Sequence, residues 1–206
     1  MKAALIGLGS VGRGVAEMIA KKDPGITITG IADSKSGRIS NEGIDITDVL
    51  ETKRTTGLCG DTAISAADVI KKADYDVLIE VTPTNALTGE PALGYIRAAL
   101  ARKKHIVTSN KGPIALAYRE LSELAKKKGV ALRYEATVGG AIPIMHTLED
   151  GLCGNDIIAV HGVLNGTCNY ILTRMAAEGL TYEQALMEAR EMGYAEADPT
   201  YDVKGI

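Results

Sequence analysis

Gly7-Leu8-Gly9-Ser10-Val11-Gly12 is the stretch on which the fold turns. It follows Lys2-Ala3-Ala4-Leu5-Ile6, a short apolar run that reads as a buried parallel strand. It opens a segment, 11–22, that reads as a helix with Val11, Val15, Met18 and Ile19 on one face, stopped at Pro24-Gly25. A G-x-G-x-x-G string means little alone, but between a strand and a helix it has a mechanism. Gly7 permits the tight turn and Gly9 lets the backbone approach a pyrophosphate. Gly12 allows close packing of helix on strand, and the N–H groups that open the helix, from Ser10 and Val11 onward, face the anion. A second strand over 26–32 ends at Asp33, where a carboxylate can accept hydrogen bonds from the adenosine ribose. A 2′-phosphate there would meet a like charge, which favours NAD. Lys35, Arg38 and Lys53 are close enough in sequence to answer such a phosphate, which leaves NADP open.

The alternation continues outward from this motif. Residues 34–62 are polar and glycine-bearing, with a short helix expected around Asp48-Val49-Leu50. Residues 66–72 read as a helix, and Val77-Leu78-Ile79-Glu80-Val81 as a strand closed by Thr82-Pro83. Pro91 suits the first turn of a helix reaching about Lys104, since its missing N–H is unpaired there anyway. His105-Ile106-Val107-Thr108 is the next strand, 114–128 a helix stopped by Gly129, and 130–134 a further strand. Strands alternating with helices predict a Rossmann-type, doubly wound parallel sheet over 1–136. After about Thr137 the pattern changes. A longer strand over 157–164 and helices over 168–178 and from Thr181 predict part of an α+β domain over 137–206. Thr181 and Gln184 have capping-box spacing, with Leu186, Ala189 and Met192 as the buried stripe.

Composition excludes several classes. The chain has 206 residues, 46% hydrophobic and 24% charged, with a net charge of -3, so no basic excess favours nucleic acid or an anionic membrane. Trp and Phe are absent, which leaves only Tyr for stacking on bases. Cys59, Cys153 and Cys168 form neither a disulfide framework nor a zinc cluster, and read as buried reduced thiols. His105, His146 and His161 lack ligand spacing and read as structural. No run approaches the ~18 apolar residues of a membrane span, and a cytoplasmic location is expected.

Several segments together resemble homoserine dehydrogenase: Val81-Thr82-Pro83-Thr84-Asn85, Thr108-Ser109-Asn110-Lys111-Gly112-Pro113, residues 134–143 (YEATVGGAIP), residues 162–172 (GVLNGTCNYIL) and residues 193–199 (GYAEADP). The resemblance implies NAD(P)-linked interconversion of homoserine and aspartate 4-semialdehyde, with a homodimer in the full-length enzyme. It implies that Lys111 is catalytic, either as a base or as a cation orienting the alcohol and stabilising developing alkoxide. Tyr194, Glu196, Asp202 and Thr167 become substrate-pocket residues, with Thr167 having simple helix capping as its alternative. Asp198, before Pro199, either contributes or merely shapes a turn. Thr82, Asn110, Lys111 and Gly166 join the glycine turn, Asp33 and Arg38 as cofactor contacts. Backbone carbonyls of Glu135, Val138, Gly140 and Ile142 would ligate a monovalent cation such as sodium.

The family's pattern continues beyond Asp202-Val203-Lys204-Gly205 into another aspartate and a second catalytic lysine, and this sequence stops at Ile206. A weakly active or inactive, C-terminally truncated chain is therefore expected. Two other readings remain: an aspartate-semialdehyde dehydrogenase-like enzyme using Cys168, near a helix start, as nucleophile, and a non-catalytic NAD(P)-binding module.

Overall fold

The structure is a computed structural model that describes residues 1–163 and 165–194. It divides into two compact units, Met1–Gly140 and Ala141–Ile206. The first unit holds a six-stranded sheet made of β1 (Lys2–Ile6), β2 (Thr27–Ala32), β3 (Gly37–Ile39), β4 (Val77–Glu80), β5 (His105–Thr108) and β6 (Leu132–Arg133), in the order β3-β2-β1-β4-β5-β6. Its helices are α1 (Ser10–Lys22), α2 (Ile46–Thr56), α3 (Ala66–Lys72), α4 (Ala92–Ala101) and α5 (Lys111–Lys128). Every strand pair is parallel except β2–β3.

Strand periodicity sorts the core into two layers. On β1, Ala4 and Ile6 pack with Ile70 of α3, Ile96 of α4 and Leu121 of α5. Ala3 and Leu5 face the other way, towards Ala16 and Ile19 of α1 and Val49 of α2. Both faces of β1 and β4 are covered, which is why those strands read as unbroken apolar runs. The chain leaves β1 for β2 on one side and reaches β4 on the other, so a crevice opens at the carboxyl ends of β1 and β4, the usual ligand position in an open α/β sheet.

Several expectations change in detail. The buried face of α1 is Gly12, Ala16 and Ile19, whereas Val11 and Met18 are exposed. Small residues win because this helix lies close against the sheet. α2 spans eleven residues, capped by Asp45, and antiparallel β3 precedes it. The helix was expected around Asp48-Val49-Leu50 and is longer than that reading; β3 was not foreseen in this polar stretch. α5 begins at Lys111, earlier than expected, because Asn110 caps it. β6 shrinks to Leu132–Arg133.

In the second unit, α6 (Gly166–Glu178) and α7 (Tyr182–Glu191) pack through Ile171, Ala185 and Ala189. The Thr181–Gln184 capping box is present. Met192 is exposed, so the stripe runs through Ala185 and Ala189. The strand expected over 157–164 is not formed over 157–163: these residues have no ladder among the described residues, and Ile158 is almost fully exposed. Leu164 lies outside the described residues. None of the three cysteines is in a disulfide, and only Cys59 is buried. His105 is structural, its Nδ1 accepting the Ala131 N–H at 3.0 Å.

Candidate cofactor and catalytic site

The glycine turn fits a ligand of close approach. Gly7 has φ +101°, and a Cβ there would stand 2.6 Å from the Val81 carbonyl oxygen, so neither the conformation nor the space suits a side chain. A Cβ on Gly12 would lie 1.9 Å from the Gly7 carbonyl oxygen. Around Gly9 the opposite holds: a Cβ would meet nothing within 4 Å. Side chains cap α2, α3, α5, α6 and α7 through Asp45, Ser65, Asn110, Asn165 and Thr181. α1 starts at Gly9 with no side-chain cap. Its first N–H groups therefore face open space, as a pyrophosphate cradle requires. Ser10 and Val11 are the first two residues of this helix, and both are exposed.

Asp33 sits just past β2. Its Oδ1 accepts the N–H groups of Lys35 (2.8 Å) and Ser36 (3.0 Å), and its Oδ2 accepts from Lys53 Nζ (2.5 Å). Burial would push the Asp33 carboxyl upward, but the Lys53 ammonium and the two N–H groups outweigh it and hold the group below its ordinary value. Lys53 also donates to the Gly57 carbonyl at 2.6 Å. Of the cations near Asp33 in sequence, Lys53 is thus the one brought onto it. Arg38 is paired with Asp48 at 2.5 Å.

Across β1, a second group of residues converges. Glu80, the last residue of β4, is fully buried. Its Oε1 accepts the Thr82 N–H (2.8 Å) and the Thr82 hydroxyl (2.5 Å), and its Oε2 accepts the Thr108 hydroxyl (2.8 Å). Asn110 Nδ2 donates to the Thr82 carbonyl at 3.0 Å, while Asn110 Oδ1 caps Gly112 N–H at 3.3 Å. A Cβ on Gly112 would lie 2.6 Å from the Asn85 carbonyl oxygen, so the start of α5 is pressed against the loop after β4. Gly7, Thr82, Asn110 and Lys111 are thereby gathered along the carboxyl ends of β1, β4 and β5. Lys111, the first residue of α5, is exposed. Sequence reasoning assigned no role to Glu80, although a carboxylate ending an otherwise apolar parallel strand was a visible signal.

After β6, Glu135–Thr137 forms one 3₁₀ turn in which the Glu135 carbonyl accepts the Val138 N–H at 3.2 Å. Gly139 and Gly140 follow, both left-handed.

In the second unit, Asn165 rather than Thr167 caps α6, its Oδ1 accepting the Cys168 N–H at 2.8 Å. The nearly buried Thr167 donates its hydroxyl to the Tyr194 carbonyl at 2.5 Å. Tyr194 stacks on Tyr170 with ring centroids 4.8 Å apart. Gly166 opens the helix, and a Cβ there would meet nothing within 4 Å. The Ile142 carbonyl accepts the Ile144 N–H at 2.9 Å. Glu196, Asp198 and Asp202 lie outside the described residues.

The family model described as the homoserine dehydrogenase NAD binding domain matches residues 7–135, and that described as homoserine dehydrogenase matches residues 143–206. The chain belongs to the homoserine dehydrogenase family. It is 45% identical to a homoserine dehydrogenase of Methanocaldococcus jannaschii, over 100% of this chain and 65% of that protein. A crystal structure from Archaeoglobus fulgidus named for the same enzyme superposes with a TM-score of 0.91 at 45% identity, covering 100% of this chain and 64% of that one. A hyperthermophilic archaeal homoserine dehydrogenase solved in complex with NADPH gives a TM-score of 0.85 at 30% identity, covering 99% of this chain and 65% of that one. The chain thus spans just under two thirds of the length of these relatives. No helix among the described residues is long and apolar enough to cross a membrane.

Proposed function

We propose that this chain supplies the cofactor-binding part, and part of the substrate-binding part, of an enzyme that interconverts L-homoserine and L-aspartate 4-semialdehyde with NAD or NADP. The observation that carries the reading is the uncapped start of α1 behind a glycine turn, with Lys111 heading α5 after β5, on the far side of β4 from β1. Residues 1–136 act as the cofactor domain and residues 137–206 as part of the substrate domain.

A bound nicotinamide would supply the hydride acceptor for the carbon bearing the homoserine hydroxyl. The N–H groups of Ser10 and Val11 hold the pyrophosphate, and Asp33 takes the ribose. Three of the carboxylate's roughly four acceptor positions are already filled, so Asp33 has room for one further hydroxyl. Lys53, already on Asp33, and Arg38 are the cations that a 2′-phosphate would recruit. Arg38 would have to leave an exposed pair with Asp48, which holds it by roughly 1 kcal/mol or less. Thr82, Asn110 and Gly166 line the nicotinamide side. Lys111 handles the alcohol, either taking its proton or offsetting the developing alkoxide with its own charge. Thr167, Tyr194, Glu196 and Asp202 hold the amino acid. The carbonyls of Glu135, Val138, Gly140 and Ile142 take a monovalent cation. By family resemblance the whole protein is a cytoplasmic homodimer.

The test is homoserine-dependent reduction of NAD and NADP by a version extended past Ile206, followed by nicotinamide absorbance. Lys111→Ala should lower turnover by about 10²–10⁴-fold with little change in cofactor affinity. Activity retained in Lys111→Arg would select the electrostatic role, since a guanidinium does not serve as a base. Cofactor binding without homoserine-dependent turnover, even in that extended version, would favour a non-catalytic binding module, and turnover unaffected by Lys111→Ala would remove that residue from the chemistry.

A further inference from the structure

Glu80 is a fully buried carboxylate with no ion-pair partner among the described residues, yet it is not short of donors. The Thr82 N–H, the Thr82 hydroxyl and the Thr108 hydroxyl all converge on it within 2.8 Å, and Asn110 Nδ2 adds a long contact at 3.5 Å. The hydroxyls are oriented by their other partners. Thr108 Oγ1 accepts the Asn110 N–H at 3.0 Å, and Thr82 Oγ1 faces Asn110 Nδ2 at 3.4 Å, so each has its proton left for Glu80. An arrangement of donors only suits the acceptor-only, ionised carboxylate. Thr82 belongs to the loop after β4, and Thr108 and Asn110 to the end of β5 and the cap of α5.

We infer that Glu80 is a positioning residue, a buried anionic clamp that ties the β4 loop to the β5 end and fixes where α5 begins, and with it Lys111. It touches no reacting atom and acts through Thr82, Thr108 and Asn110. The inference rests on the reading of Lys111 as the residue that handles the alcohol. The physical reason for a clamp here is that two separate loops must hold one crevice to within about an ångström, and misplacement on that scale costs about 100-fold in rate.

Glu80→Gln keeps the shape and removes the charge. Two readouts on a version extended past Ile206 test it. Amide hydrogen exchange should quicken about tenfold at Thr82, Asn110 and Gly112 and stay unchanged at Leu5 and Ile31, a local opening rather than a global one. In homoserine oxidation, kcat should fall about 10–100-fold while KM for homoserine and cofactor Kd move less than about threefold. Thr108→Val should give the same signature more weakly. The double variant should lose no more than Glu80→Gln alone, because both act through one contact. Unchanged exchange at Asn110 and Gly112 overturns the clamp whatever the turnover. Uniformly faster exchange across the sheet also overturns it, reducing Glu80 to a general stability residue. Local opening without any loss of kcat in an active protein overturns the positioning role. If the version extended past Ile206 does not oxidise homoserine, that counts against the proposed function, and the exchange pattern still decides the clamp.

Discussion

Two carboxylates stand at strand ends on either side of β1, and they are held in opposite ways. Asp33, past β2, is paired with a cation, Lys53, and keeps part of its surface open. Glu80, at the end of β4, is sealed from solvent and satisfied by neutral donors. The Lys53 side chain keeps 20% of its surface exposed and the Asp33 side chain 9%, so this pair still meets solvent at its edge and a ligand can rearrange it. A sealed anion ringed by hydroxyls cannot be rearranged, because any lost donor leaves a buried charge short of a partner. The Asp33 end of the crevice is thus able to respond to what binds, and the Glu80 end is built to stay still.

The sharpest way to break this contrast is to delete each carboxylate. Glu80→Ala should destabilise the first unit by about 2–5 kcal/mol, because it opens a cavity and strands the Thr82, Thr108 and Asn110 donors. Asp33→Ala should cost less, about 1–2 kcal/mol, since Lys53 keeps the Gly57 carbonyl and an edge exposed to water. The same Asp33 variant should weaken NAD binding and relatively favour NADP, because a ribose partner and a charge repelling a 2′-phosphate leave together. Denaturant unfolding and cofactor titration measure both effects. Equal losses of stability in the two variants would erase the distinction.

A smaller effect sharpens the same comparison at the glycine turn. Gly12→Ala should cost about 1–3 kcal/mol, because its Cβ would lie 1.9 Å from the Gly7 carbonyl oxygen and backbone must move. Gly9→Ala should leave stability within about 0.5 kcal/mol, since its Cβ meets nothing within 4 Å. It should still weaken cofactor binding, by standing where the pyrophosphate approaches. Unfolding curves paired with nicotinamide fluorescence titrations separate the two. Undiminished affinity in Gly9→Ala would mean the pyrophosphate lies elsewhere.

The sequence made the rigid parts of the first unit legible. The glycine spacing, Asp33 at its distance and the apolar runs of β1 and β4 each follow from local rules, and the structure keeps them. What escaped depended on partners distant in sequence. β3 is three residues long and exists because β2 offers it an edge. Residues 157–163 have strand composition but no ladder among the described residues. Val11 and Met18 were assigned to one apolar face by their spacing, whereas proximity to the sheet selects Gly12 and Ala16. Asp33 was read as a ribose acceptor, but its pairing with Lys53 across twenty residues is set by how α2 docks, and Arg38 turned to Asp48 for the same reason.

The smallest effect is the response of Asp33 to acid. Its carboxyl lies below the ordinary value because Lys53 and the N–H groups of Lys35 and Ser36 outweigh burial. A depressed carboxylate means the unfolded chain takes up its proton first as pH falls. Its contribution to stability is therefore full above the ordinary carboxylate value of about 3.9 and fades as pH drops from there through the lower folded-state value. Asp68, Asp74, Glu120 and Glu188 are also lowered by basic partners, so the raw acid-unfolding curve mixes several titrations. The difference between wild type and Asp33→Asn isolates one of them. That difference should be level from neutrality to about pH 5 and shrink below about pH 4. Bound NAD should hold it open to lower pH, because a ribose hydroxyl donating to Asp33 favours its ionised form. A difference that grows on acidification would mean that burial, and not Lys53, governs this carboxylate, and Asp33 would then belong with the sealed anion rather than opposite it.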